Sequence, residues 1–207
     1  MEFQQRKFKR NIPRGAGKMN IGVLSLQGDV IEHLNQIKSL GHIGIQVKEE
    51  KDLDNLDAII LPGGESPTIG KLLKITGLID PLKEKIKNGL PTWGTCSGMI
   101  LLANKIEDEE TKHIQLMDIS VRRNAFGTQI DSFKAQKVIE GVSEKAIELV
   151  FIRAPYITKS GIDVKILCKI DNKIVAAKQD NMLVTSFHPE LTNDLTFLQY
   201  FLNGILK

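Results

Sequence analysis

The stretch Pro91-Thr92-Trp93-Gly94-Thr95-Cys96-Ser97-Gly98 sets a cysteine between two glycines, directly before the apolar run Met99-Ile100-Leu101-Leu102-Ala103. Gly-x-Cys-x-Gly at a strand-to-helix junction is the nucleophile-elbow pattern with cysteine in the serine position. A side chain at the apex of so sharp a turn sits in a strained backbone conformation, and flanking Cβ atoms would collide with neighbouring strands. Cys96 would open the next helix, where unpaired N–H groups and the helix dipole favour thiolate over thiol. The competing reading is a buried core cysteine, and the motif alone does not choose.

Three other stretches bear on that choice. Ser186-Phe187-His188-Pro189-Glu190 follows an apolar strand. On extended backbone His188 and Glu190 would point the same way. A histidine near a thiol can take its proton, and a carboxylate beside the histidine fixes its tautomer and stabilises the imidazolium. His33, His42 and His113 lack such company and read as structural or exposed. In Leu61-Pro62-Gly63-Gly64-Glu65-Ser66, consecutive glycines let backbone N–H groups approach a ligand. Gly64 is thus a candidate oxyanion-hole donor beside the N–H of Ser97, although a plain strand-to-helix turn would look the same. The run from Gly64 to Leu72 imitates a phosphate-binding loop, but its glycines are one residue too far apart and Leu72 replaces the metal-binding hydroxyl. Finally, Arg122-Arg123 and Phe151-Ile152-Arg153 set arginines beside apolar strands, which is costly unless each meets an anion. Arg123 and Arg153 could hold a substrate carboxylate or a structural partner such as Glu65, and spacing does not choose between these.

The elements that must position these residues can be read from periodicity. Ile21 to Leu26 is a buried-type strand, and Gln27-Gly28-Asp29 turns it into a helix with Asp29 as N-cap and Gly41 as its end. Strands follow at Ile43–Val47 and Ala58–Leu61, then short helices near Thr68–Ile75 and Pro81–Lys87. The strand into the elbow comes next, with a helix from Ser97 to about Ile106. Strands alternating with helices indicate an α/β fold, a parallel sheet covered on both faces. After a charged surface loop from Ile106 to His113 the chain becomes strand-rich. Strands are expected at Met117–Val121, Asp131–Val138, Leu149–Ile152, Val164–Ile170, Lys173–Lys178 and Met182–Phe187. Asp171-Asn172 and Asp180-Asn181 serve as hairpin turns. Consecutive hairpins imply an antiparallel extension of the sheet. A last helix is expected over about Asp194–Leu206.

At 207 residues, 42% hydrophobic and 26% charged, the chain suits one globular domain. No apolar run is long enough to span a membrane. Its two cysteines, Cys96 and Cys168, lie far apart, which argues against a disulfide framework or a cysteine-based metal site and for a reducing, cytoplasmic setting. The net charge of +3 belongs to residues 1–18, which carry +5 and leave the remainder at −2. No basic face argues for nucleic acid. Residues 1–18 have no apolar signal region and read as a disordered basic extension or an expression remnant. Met19, just before the first strand, is a candidate start, with the domain over residues 19–207.

Taken together, these stretches resemble the class I glutamine amidotransferases, in which a cysteine elbow precedes the histidine and glutamate of the triad. Gly22-Val-Leu-Ser-Leu-Gln27-Gly28-Asp29, Leu61–Ser66, Gly94–Gly98, Arg123-Asn-Ala-Phe-Gly127 with Gln129 and Asp131-Ser-Phe133, Phe151–Pro155 and Ser186–Leu191 all recur in one family of that class. It comprises the glutaminase subunits of pyridoxal 5′-phosphate synthase. The resemblance runs from Asn20 to the C-terminus and implies a single-domain, three-layer, flavodoxin-like fold. By position it implies Cys96 as nucleophile, His188 as base and then acid, and Glu190 as orienter, with Gly64 and Ser97 forming the oxyanion hole. Glutamine would be bound by Gly64, Glu65, Ser66, Arg123, Ile152 and Arg153. Gln27 would help order the oxyanion hole and contact the synthase subunit. The implied reaction releases glutamate and passes ammonia to that subunit for vitamin B6 synthesis, with no cofactor and no metal in this chain. Two positions depart from the family pattern. Ser97 stands where alanine is common, and its side chain is expected to matter little. Pro67 stands where threonine is usual and, lacking an N–H, is expected to alter the loop slightly.

Overall fold

Strands covered by helices on both faces have no polar side to spare, and the first ones here read accordingly: Ala58–Leu61 is buried throughout and Asn20–Leu24 nearly so. The structure is a computed structural model describing residues 17–123 and 132–204. In chain order, its elements are β1 (Asn20–Leu24), α1 (Val30–Ser39), β2 (Ile43–Val47), β3 (Ala58–Leu61), α2 (Ser66–Ile75), α3 (Ile79–Lys87), β4 (Thr92–Thr95) and α4 (Ser97–Leu102). Then come β5 (Ala103–Ile106), β6 (Met117–Arg122), β7 (Ser132–Lys137), β8 (Ile147–Ile152), β9 (Tyr156–Ser160), β10 (Lys165–Ile170), β11 (Lys173–Gln179), β12 (Met182–Thr185) and α5 (Thr196–Gly204).

The main sheet runs β2-β1-β3-β4-β12-β11-β9-β6-β5, with β10 on β11, and β7 pairs with β8 apart from it. From β2 to β12 every pairing is parallel. That order is the flavodoxin-like one, in which ligands bind beyond the carboxyl ends of the strands. Alternate side chains feed two cores. Leu24, Ile59 and Leu61 face α2, α3 and α4. Ile21, Val23, Ile60 and Trp93 face α1 and α5. Trp93 is fully buried, packs on Phe197 and Phe201 at centroid distances of 6.2 and 5.6 Å, and donates its Nε1–H to Thr185 Oγ1 at 3.1 Å. An indole in a core needs such an acceptor.

The expected antiparallel extension is present as the β10-β11-β12 meander. Asp171 and Asn172 have φ of 48° and 62°, the both-positive pair of a type I′ hairpin. Four expectations need correction. The helix after the elbow stops at Leu102, because the backbone N–H groups of Ile114 and Leu116 take the carbonyls of Leu101 and Leu102, and Ala103–Ile106 pairs with β6 as a strand. β9 is absent from the periodicity, since polar Thr158, Lys159 and Ser160 disguise a strand whose only buried residue is Ile157. The charged loop after β5 stays at the surface only in part, as His113 at its end is buried. His188 and Glu190 do not lie on extended backbone, because Pro189–Leu191 is a 3₁₀ turn. The motif residues Asn124 to Asp131, and residues 1–16 of the expected extension, lie outside the described residues.

Candidate active site

Residues that follow the carboxyl ends of β1, β3, β4 and β12 meet in one place. The elbow comes from β4. Cys96 has φ 46° and ψ −101°, a conformation side chains avoid, at a cost of roughly 1–3 kcal/mol. The surroundings hold it there. Its N–H donates to Thr185 O at 2.8 Å, and the Ser97 hydroxyl donates to Pro62 O at 2.9 Å. A Cβ on Gly94 would fall 2.5 Å from the Gly98 carbonyl carbon, and one on Gly98 would fall 2.1 Å from Leu61 O. Both glycines are therefore there for close approach. The Ser97 side chain makes a contact the sequence does not announce, its buried hydroxyl tying the elbow to Pro62 O of the loop after β3. The Cys96 sulfur lies 3.9 Å from Ile152 O.

His188 arrives from the end of β12, with its backbone N–H donated to Val150 O at 2.8 Å. A carboxylate can only accept, so imidazole Nδ1 carries the hydrogen it donates to Glu190 Oε1 at 2.8 Å. Nε2 is buried with no hydrogen-bond partner among the described residues, the nitrogen left for proton exchange. Burial alone would lower the His188 pKa. Interactions with Asp29, Cys96 and Glu190 outweigh it and push the value up to about 12. The turn carrying Glu190 is pinned to α1, where Gln36 Nε2–H donates to Pro189 O at 2.9 Å and to Thr192 O at 3.1 Å.

Two groups at this site escape a reading of the sequence. Asp29, expected as an N-cap, makes no side-chain capping bond; its Oδ2 lies 3.3 Å from His188 Nδ1. The pKa of Asp29 is lowered chiefly by that hydrogen bond to His188. His33 is buried one helical turn on, with Nε2 3.3 Å from Thr95 Oγ1 and 3.6 Å from Glu190 Oε2. Burial lowers its pKa, keeping it a neutral neighbour of Glu190. The signal available was the four-residue spacing of Asp29 and His33, which puts them on one side of α1. Asp29, His188 and Glu190 bring three oxygen and nitrogen atoms within 4.8 Å of one another. Since the imidazole nitrogen is already hydrogen-bonded to a carboxylate, the trio is an acid–base cluster.

The loop after β3 completes one wall. Gly64 has φ +150°, and a Cβ there would meet Gln27 Oε1 at 2.5 Å. That oxygen accepts the Glu65 N–H at 2.8 Å, while Gly63 O accepts the Asp29 N–H at 3.2 Å. The Gln27–Asp29 turn thus grips the loop twice. The N–H of Ser97, at the first position of α4, has no intrahelical acceptor available. Glu65 is exposed and Ser66 buried. Pro67 falls in the first turn of α2, where a missing N–H costs no hydrogen bond. Ile152 and Arg153 are exposed at the end of β8, Arg153 with φ 45°. Arg123 does not meet Glu65; its Nε lies 2.8 Å from Glu109 Oε1. The structure therefore gathers Cys96, His188, Glu190, Gly64, Ser97 and Gln27 around one centre, edged by Ile152 and Arg153, and engages Arg123 with Glu109.

A thiol on a strained elbow, a carboxylate-bound imidazole and a glycine loop suit acyl transfer through a covalent intermediate. No helix among the described residues is long and apolar enough to cross a membrane. Residues 23–207 match the SNO glutamine amidotransferase family. The chain is 74% identical over 186 residues to a Clostridium beijerinckii protein named pyridoxal 5′-phosphate synthase subunit PdxT, covering 90% of this chain and 98% of that one. A protein of the same name from Clostridium kluyveri is 58% identical, covering 89% and 98%. A solved structure described as a glutamine amidotransferase superposes with a TM-score of 0.84 at 40% identity, over 88% of this chain and 97% of that one. A second solved structure, of PurLQS from Thermotoga maritima, shares the fold at a TM-score of 0.65 and 17% identity, over 92% of this chain and 100% of that one. With its elbow, its hydrogen-bonded histidine and its parallel sheet in place, the chain belongs to the SNO glutamine amidotransferase family.

Proposed function

We propose that this chain hydrolyses L-glutamine to L-glutamate and ammonia and passes the ammonia to a synthase subunit that builds pyridoxal 5′-phosphate. The observation that carries this reading is the pairing of a strained, elbow-borne Cys96 with a buried imidazole whose Nδ1–H is donated to Glu190. In the first step the Cys96 sulfur attacks the side-chain amide carbon, and the oxygen left negative is stabilised by the N–H groups of Gly64 and Ser97. His188 Nε2–H protonates the amide nitrogen, the C–N bond breaks, and ammonia leaves behind a thioester. A water then gives a proton to His188 as it attacks the thioester carbon. Glutamate departs as the C–S bond breaks, leaving the Cys96 thiolate beside the protonated His188 with which the cycle began. Glu190 holds the imidazole in one tautomer throughout. Glu65, Ser66, Ile152 and Arg153 line the position where glutamine would lie, and Arg123 would join them by leaving Glu109.

Ammonia released to water near neutral pH becomes mostly ammonium, a poor nucleophile, so a partner must receive it directly. The name shared by the Clostridium relatives supports a partner that belongs to pyridoxal 5′-phosphate synthase, with Gln27 at the contact. A cytoplasmic setting and a single domain over residues 19–207 belong to the same reading. The test is glutamate release by the purified chain, alone and with the synthase subunit, with Cys96→Ala as control. Stimulation by the partner that disappears in the variant is expected. Brisk release that ignores the partner would overturn the pathway, and release that survives in Cys96→Ala would overturn the chemistry.

A further inference from the structure

Glu190 is a sufficient partner for one imidazole N–H, yet the structure puts a second carboxylate on the same nitrogen. Asp29 Oδ2 lies 3.3 Å from His188 Nδ1, against 2.8 Å for Glu190 Oε1. The Asp29 side chain is about one-third exposed and that of Glu190 fully buried, so the two reach Nδ1 from the mouth of the site and from the core. Asp29 is also committed through its backbone, since its N–H is donated to Gly63 O. A Cβ on Gly63 would fall 2.4 Å from His188 Cε1 and 2.7 Å from Asp29 Oδ2, so imidazole and carboxylate converge on the bare backbone of the loop that carries Gly64. Two residues earlier, Gln27 grips the far side of that loop.

We propose that Asp29 is a positioning residue: with Glu190 it holds His188 in its charged form, and it ties that imidazolium to the Gly63–Gly64 loop. The charged and titratable groups facing His188 are Asp29 from the turn before α1, His33 from α1, Glu190 from the 3₁₀ turn and Cys96 from the elbow. Of these, Asp29 and Glu190 are the fixed negative charges, and Asp29 is the one within reach of solvent. Its surroundings agree, since Asp29 is held ionised chiefly by His188. An opposite charge this close raises an imidazole by roughly 1–3 pH units. Removing it leaves His188 to surrender its proton at lower pH, while the backbone N–H of residue 29 still holds Gly63 O. Asp29 meets the imidazole at Nδ1, across the ring from the Nε2 that exchanges the proton, so its influence passes through His188.

This inference rests on His188 as the acid–base group, and its test is independent of turnover. The His188 ring is titrated by nuclear magnetic resonance in the full chain carrying Cys96→Ala, with and without Asp29→Asn. The expected result is a His188 midpoint lower by about 1 unit or more in the double variant, returning toward the starting value with Asp29→Glu. Asp29→Ser removes the same charge with a short polar side chain and serves if Asn disturbs the turn, as judged by the melting temperature. A midpoint unmoved to within about 0.3 units in a folded variant overturns the proposal. Because the background lacks the nucleophile, that outcome refutes the role of Asp29 alone. Failure of glutamate release in the wild-type complex would instead refute the catalytic reading.

Discussion

Gly94→Ala tests whether the elbow depends on close backbone approach. The added Cβ would lie 2.5 Å from Gly98 C, 2.6 Å from Gly98 O and 2.9 Å from Met99 N, all main-chain atoms. Carbon atoms in comfortable contact stand about 3.5–4.0 Å apart, so β4 and the first turn of α4 must separate by about 1 Å. Overpacking in a dense core costs about 1–3 kcal/mol. The upper end applies here, because Cys96 is bonded to Thr185 and Ser97 to Pro62, and neither can follow freely. For a domain of this size each kcal/mol lowers Tm by about 2–4 °C, so a fall of about 6–12 °C is expected. If Cys96 is the nucleophile as proposed, a shift of about 1 Å there should also cost about 100-fold in glutamate release. Gly89→Ala is the control. Its φ is +97° with nothing within 4 Å of the new Cβ, so only the conformational cost of about 1–2 kcal/mol remains. Thermal unfolding followed by circular dichroism reads both variants. If Gly94→Ala melts no lower than Gly89→Ala, the steric account of the elbow is wrong.

Two further outcomes follow from single groups. Glu190→Gln keeps the shape but removes the charge on His188 Nδ1, and loss of the orienting carboxylate in such a triad lowers kcat by about 10⁴-fold; glutamate release in the complex within tenfold of wild type would show that Asp29 alone suffices. His113 is buried against Gly70, with burial first and then the charges of Arg123 and Lys74 pulling its pKa down to about 4. A histidine depressed in the folded state binds its proton more readily when unfolded. Its stabilising contribution is therefore complete above about pH 6.5 and is lost as pH falls toward 4, at most about 3 kcal/mol. The melting temperature of wild type should accordingly fall relative to that of His113→Phe between pH 7 and pH 4, and parallel curves would refute that assignment.

The buried strands were legible because the parallel core is apolar on both faces, and the hairpins because Asp171-Asn172 and Asp180 tolerate positive φ. The elbow and its glycines were legible for the same local reason. β9 was not, since its stability comes from neighbours on either side and only Ile157 carries an apolar signature. Nor was the early end of α4, whose last carbonyls are taken by a loop more than ten residues away in sequence. Arg123 could be recognised as needing an anion but not as meeting Glu109, because a requirement for charge does not name its partner.

The sequence by itself determined the chemistry on offer: a cysteine between glycines, a histidine with a carboxylate two residues on, and glycines able to present backbone N–H groups. Residue type and local conformation suffice for that, because each is a property of a few consecutive residues. Only the tertiary structure decided which groups act on one another. Asp29 comes from the turn before α1, His33 from α1, Cys96 from the end of β4 and His188 from beyond β12, and the strand order β1-β3-β4-β12 brings them together. Hydrogen bonds and the raised pKa of His188 depend on distances of a few ångströms and on exclusion of water. Those are properties of packing, and no reading of the chain one segment at a time contains them.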